Sequence, residues 1–132
     1  MIFFLNLISL CFAVTVEIIG PKNDTILAPI KYDVNLASNV GEVTVAVLDD
    51  QNIQYEGNTT GMIGIKNYTN YVEIISATEF KAYGWCFTIN GVTGDTTSDH
   101  TYFESQDDVL GWYFAYSHYK DGDWISQCKP AN

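Results

Sequence analysis

The sequence predicts a mainly β domain of the α+β class, an antiparallel sheet with at most one short helix. Three observations carry that prediction. Apolar and polar residues alternate along several runs, as they do where one face of a strand is buried and the other wet. Gly, Pro, Asn and Asp punctuate the chain between those runs. Apolar spacing of the helical kind stands out in one stretch, where it competes with alternation.

Val14, Val16 and Ile18 alternate with Thr15 and Glu17, a half-buried strand that Gly20 and Pro21 end. Ile30, Tyr32, Val34 and Leu36 then share one face, with Lys31, Asp33 and Asn35 on the other, and the two strands are expected to pair across GPKNDT. The next stretch, SNVGEVTVAVLDDQNIQYEG, reads two ways: Val43, Val45 and Val47 alternate as in a strand, while Val43, Val47 and Leu48 form a helical stripe. β-Branched propensity favours the strand. Ser38 or Asn39 as a cap and Glu42 in the first turn favour a helix, with Ile53 to Glu56 as the strand after it.

Asn58 to Asn70 is expected to loop around a short apolar piece, Met62 to Ile65, and Tyr71 to Ile75 to form a short strand. From Trp85 alternation returns, with Trp85, Phe87 and Ile89 on one side; NGVTGDTTSD is then a loop, HTYFE a short strand and SQDD a turn. The last hairpin is the most strongly specified element. Asp121 and Gly122 suit a two-residue turn that demands positive φ. In that register Tyr119 opposes Trp124, Ala115 opposes Cys128, and Trp112, Phe114, Tyr116 and His118 share one face.

The chain opens on MIFFLNLISLCFA, apolar, too short to span a bilayer and ending in small residues, Cys11 and Ala13 around Phe12. Residues 1–13 are expected to be a signal peptide cleaved after Ala13, although no Lys or Arg precedes the apolar run; the alternative is a buried N-terminal strand. The expected product is secreted and extracellular, one domain over residues 14–132. Removing the leader removes Cys11 and leaves Cys86 and Cys128, an even pair expected to form a disulfide. Three sequons, at Asn23, Asn58 and Asn67, lie in turn-rich surroundings and are expected to carry N-glycans.

The net charge is −10, and the six basic residues are all Lys. Nucleic acid and anionic membrane surfaces are repelled, and no guanidinium is present to clasp a phosphate or carboxylate.

The stretch from Tyr83 to Gln127 resembles the transcobalamin-like C-terminal domain, the small module that ends transcobalamin and intrinsic factor. YGWCFTINGV is similar to the family's aromatic and β-branched strand closing on a turn, here Asn90 and Gly91. DHTYFE, Asp99 to Glu104, is similar to its Asp, basic, Thr, Tyr, aromatic, Glu run, and YKDGDWISQ to its closing strand. Thr44 and Val45 with Leu48 and Ile53 resemble its helix, about one residue short of the usual spacing.

The resemblance implies a β-grasp fold, in which Val43 to Asn52 is the helix, and a non-catalytic binding module. In the vitamin carriers this domain caps a corrin ring against a larger helical domain, which this sequence does not hold. Carried over by position, the ligand-facing set is Trp85, Tyr102, Phe103, Leu110, Gly111, Trp112 and Tyr113. The implied ligand is cobalamin or another flat small molecule, with no resident cofactor. The cobalt-binding His of the carriers lies in the missing part, so neither His100 nor His118 inherits it. The alternative is an adhesion or interaction module that recognises an extracellular protein or glycan.

The row Trp112, Phe114, Tyr116 and His118 is either core or a binding face. Tyr113, Tyr83, Trp85 and Phe103 are the better candidates for an exposed platform. Catalysis has little to work with: no phosphate loop, no Gly-x-Ser-x-Gly elbow and no His-Glu-x-x-His is present. The aspartates at 95, 99, 107, 108, 121 and 123 lack calcium-loop spacing, and two distant His with paired Cys do not make a zinc site. The expectation is no metal.

Overall fold

The computed structural model describes residues 11–35 and 37–131. Strand β1 (Cys11–Ile19) pairs antiparallel with β2 (Thr25–Asn35), and Val14, Val16 and Ile18 are buried, as their alternation predicts. Residues 1–10 of the expected leader lie outside the described residues, as does Leu36. Its last three, Cys11 to Ala13, belong to β1, opposite Asn35, Val34 and Asp33.

The ambiguous stretch is helix α1 (Val40–Asp50). Its start is fixed by a reciprocal cap: the Asn39 carboxamide accepts from Glu42 N at 2.8 Å, and the Glu42 carboxylate accepts from Asn39 N at 3.1 Å. Val40, Val43, Thr44, Val47 and Leu48 form the buried stripe. Gly41 is required by its neighbour, since a Cβ there would sit 1.8 Å from the Thr59 carbonyl oxygen. Asp49 and Asp50 stand at the helix end where the dipole disfavours negative charge. Tyr55 and Tyr32 offset this by donating their hydroxyls to them, and the bond to Asp50 pushes the Tyr32 pKa up to about 12.

The strand expected at Ile53 to Glu56 is β3 (Tyr55–Asn58), and the expected loop from Asn58 to Asn70 instead holds β4 (Gly61–Ile65) and β5 (Tyr68–Thr69), which complete a small three-stranded sheet in which Met62 and Ile65 are buried. The main sheet follows with β6 (Tyr71–Ser76), β7 (Glu79–Ile89), β8 (Val92–Thr93), β9 (Val109–Lys120) and β10 (Asp123–Pro130). Its order is β2-β1-β9-β7-β6, with β8 added to β7 and β10 to β9. β1 and β9 run parallel; the other pairings are antiparallel. The class is therefore α+β, mostly strand with one α-helix among the described residues.

HTYFE is not a strand. Ser98–His100 is a 3-10 turn, and Tyr102 makes a single bridge to Asn39. The backbone here is committed elsewhere, Thr101 O accepting from Val40 N at the start of α1. Downstream the loop winds around buried Asp108, whose carboxylate accepts from Glu104 N, Ser105 N, Ser105 Oγ and Asn90 Nδ2.

The β9–β10 hairpin turns on Asp121 and Gly122, both at positive φ, and Tyr119 opposes Trp124 as predicted. Beyond Trp124 the register departs, because two bulges put Pro130, not Cys128, opposite Ala115. The Cys86–Cys128 disulfide explains why. Cys86 lies on β7, opposite Tyr113 on the far edge of β9. A regular β10 would hold Cys128 two strand spacings from it, roughly 10 Å, beyond the reach of a disulfide. The bulged strand brings the two Cα atoms to 6.0 Å, with Cys128 at φ 52°. Cys128 N donates to Ser117 Oγ, and its carbonyl accepts from Tyr113 Oη.

Candidate functional site

β9 occupies one edge of β7 from end to end, whereas the other edge is shared between β6, up to Tyr83, and β8, from Thr88. Between them Gly84–Phe87 has no strand partner among the described residues, and β4 packs across the gap. A cavity of about 540 Å³ opens there. Trp85, Phe87 and Trp112 form its sheet wall, Met62 faces them from β4, and the 93–98 loop closes the remaining side.

Each wall is held in place by a polar tie. Trp85 Nε1 donates to Tyr68 O at 2.9 Å, and Trp112 Nε1 donates to Thr44 Oγ1 at 2.8 Å. The loop is pinned by buried Ser98, whose Oγ donates to Thr59 O at 2.6 Å. Next to this loop Asp99 accepts from Thr97 Oγ1 and Thr60 Oγ1 and lies 2.9 Å from His100 Nδ1. The Thr97 bond, together with that to His100, holds the Asp99 carboxyl below the usual carboxylate range. The result is an apolar hollow whose lining also holds the hydroxyls of Thr60, Thr93, Thr96 and Thr97 and the Asn58 carboxamide, apolar walls with a few polar groups as in small-molecule sites.

The seven residues expected to face a ligand do not share one surface. Trp85 and Trp112 line the cavity, although both are largely buried. Leu110 and Phe103 are core, and Gly111 is buried in β9 opposite Glu17. Tyr113 points to the other side of the sheet, as its alternation with Trp112 requires, and is engaged with Cys128. Tyr102, 54 % exposed, borders a separate hollow beside Asn90 and Asp108. Of the row Trp112 to His118, Trp112 and Phe114 are core while Tyr116 and His118 are half-buried. Met62 and the threonines of the 93–98 loop had no sequence signal, since ordinary residue types acquire a role only where the fold brings loops together.

The sequons at Asn23, Asn58 and Asn67 are all exposed. His118 pairs with Glu79 at 2.7 Å, far along β9 from the cavity. Among the described residues no group of three or more His, Cys, Asp or Glu is placed to hold a metal ion, and no helix is long and apolar enough to cross a membrane.

No family model matches the chain, and no curated protein matches it at a significant level. A solved structure from Ruminococcus gnavus ATCC 29149, described as a "putative metal binding protein", is similar over 78% of this chain and 95% of that one, with 17% identity and a TM-score of 0.44.

Proposed function

We propose that the protein is a secreted, non-catalytic binding module of the transcobalamin C-terminal, β-grasp type, and that the cavity at the gap in β7 takes a flat small molecule such as a corrinoid. One observation carries the reading: two tryptophans and a phenylalanine wall a cavity of about 540 Å³, within the roughly 300–1,000 Å³ of small-molecule sites. The N-terminal hairpin, helix α1 and the parallel pairing of β1 with β9 support the β-grasp assignment. The disulfide supports an oxidising compartment.

The test is a fluorescence titration with cobalamin and with haem. Trp124, half exposed at the hairpin tip, stands outside the cavity, so W124F leaves the emission of the two wall tryptophans. Saturable quenching is expected, and T96W, which adds bulk at an exposed lining position, should weaken it at least tenfold. A flat titration with both ligands would sink the small-molecule reading.

A second reading, an interaction module, is favoured by the outermost strand. Every residue of β6 is exposed, Val72, Ile74 and Ile75 included, and its outer edge pairs with no described strand. Such an edge is a template for an added strand.

A further inference from the structure

A further hollow, of about 530 Å³, lies where the cover of the main sheet ends, past β5. Its floor is aromatic. Tyr71 on β6 stacks on Tyr83 of β7 with centroids 4.4 Å apart and planes at 7°, and Phe114 of β9 lies 6.3 and 6.4 Å from the two rings, within 28° of coplanar. Tyr71 is 52 % exposed, so a large ring surface is left to solvent on a rigid base. Around it stand Asn67, Asn70 and Lys22, all exposed, while the Tyr68 hydroxyl is held by Asp24. The Trp85–Tyr68 hydrogen bond lies between this hollow and the cavity described above.

The chemistry of this floor and rim is selective. An aromatic face is negative at its centre and attracts the positively polarised C–H hydrogens of an apolar ring face. Carboxamides and an ammonium at the edge supply donors and acceptors for hydroxyl groups. Among the described residues Lys22 is the one basic residue lining the hollow, and the chain carries a net charge of −10, so an anionic ligand is disfavoured. A purely apolar ligand would gain nothing from the amides and the ammonium, whereas hydroxyl groups can pair with them.

We infer that the Tyr71–Tyr83 hollow is a binding site for a neutral pyranose sugar, its apolar face on Tyr71 and its hydroxyls toward Asn67, Asn70 and Lys22. The sugar has two sources. Asn67 is itself a sequon residue on the rim, so the first residues of its own glycan can occupy the site, or a free saccharide can enter it.

The test is an amide-resolved NMR titration of the disulfide-bonded, unglycosylated protein with chitotriose, cellotriose and sialyllactose. Millimolar or tighter binding of a neutral trisaccharide is expected, with shifts centred on Tyr68–Tyr71, Tyr83 and Phe114 and none from sialyllactose. Y71A should weaken it at least tenfold while Y71F retains it; Tyr71 is exposed on an outermost strand, so unchanged amide dispersion elsewhere checks the fold. No shift with either neutral sugar at 10 mM, equal binding by Y71A, or shifts confined to the other cavity would overturn the inference. Chitotriose binding lost in protein glycosylated at Asn67 and regained in T69A identifies the chain's own glycan as the occupant; binding unaffected by the glycan identifies a free saccharide.

Discussion

Replacing Cys86 and Cys128 together by Ala tests where the disulfide acts. The bridge closes a loop of sequence separation 42, and on the chain-entropy relation constraining such a loop in the unfolded state is worth about 4 kcal/mol at 25 °C. The native state contributes a second effect of opposite sign. Cys128 is held at φ 52° and β10 is bulged twice, costs that the unbridged strand can shed by sliding toward the regular register, with Ala115 opposite Cys128→Ala. A left-handed non-Gly residue costs of order 1–3 kcal/mol, so a net loss of roughly 1–3 kcal/mol is expected. With a urea m-value of roughly 2 kcal/mol/M the midpoint should fall by about 0.5–1.5 M. Urea unfolding measures the loss, and hydrogen exchange across Ile125–Lys129 reports whether the strand has shifted. An unchanged midpoint with unchanged exchange in β10 would refute both halves of the reasoning.

Two further predictions concern buried polar groups. Burial opposes ionisation of Asp108, but the hydrogen bonds it accepts from Asn90, Ser105 and Glu104 outweigh it and hold its carboxyl below the ordinary value. A lowered native pKa contributes stability above the unfolded value and loses it as pH falls through the native one. D108N should therefore be less stable than wild type at pH 7 by about 1–3 kcal/mol, with the gap closing below about pH 4; a gap independent of pH in urea unfolding at pH 7 and pH 3 would count against it. Thr44 Oγ1, buried in α1, accepts from Trp112 Nε1 and donates to Val40 O. T44V keeps the shape and a similar helix propensity but strands the indole N–H, and should cost about 1–3 kcal/mol in urea unfolding; a neutral effect would mean that the indole finds another acceptor.

What could be read in the sequence was local chemistry. Asp121-Gly122 supplies positive φ at two successive positions, so the hairpin and its first register pair followed from two residues. A cap at Ser38 or Asn39 with Glu42 in the first turn was also legible, yet it had to be weighed against Val43, Val45 and Val47, and the reciprocal geometry of Asn39 and Glu42 resolves the tie in favour of the helix. The register beyond Trp124 was not local, being set by a cysteine on another strand. The ligand-facing set is spread over several surfaces for a related reason. Alternation shows that Leu110 and Trp112 share a face and Tyr113 takes the other, but not which face a helix will cover.

Element lengths account for where that cover ends. Strand β9 has 12 residues and extends for about 40 Å, whereas α1, with 11, is about 16 Å long. Whatever its crossing angle, such a helix covers less than half of the strand it packs on. The β3–β5 sheet extends the cover as far as Tyr68, and the cavity lies at the seam, where Met62 of β4 faces Trp85 and Trp112. Past Tyr68 the sheet continues with no covering layer among the described residues, and the exposed face carries Tyr71, Tyr83 and Tyr116 where a solvated strand would carry charge. Tyrosine suits both demands, since it packs on its neighbours and tolerates water at its hydroxyl. Both hollows thus arise from one mismatch, a sheet longer than the layer above it, and Tyr71 is the residue at which burial gives way to recognition.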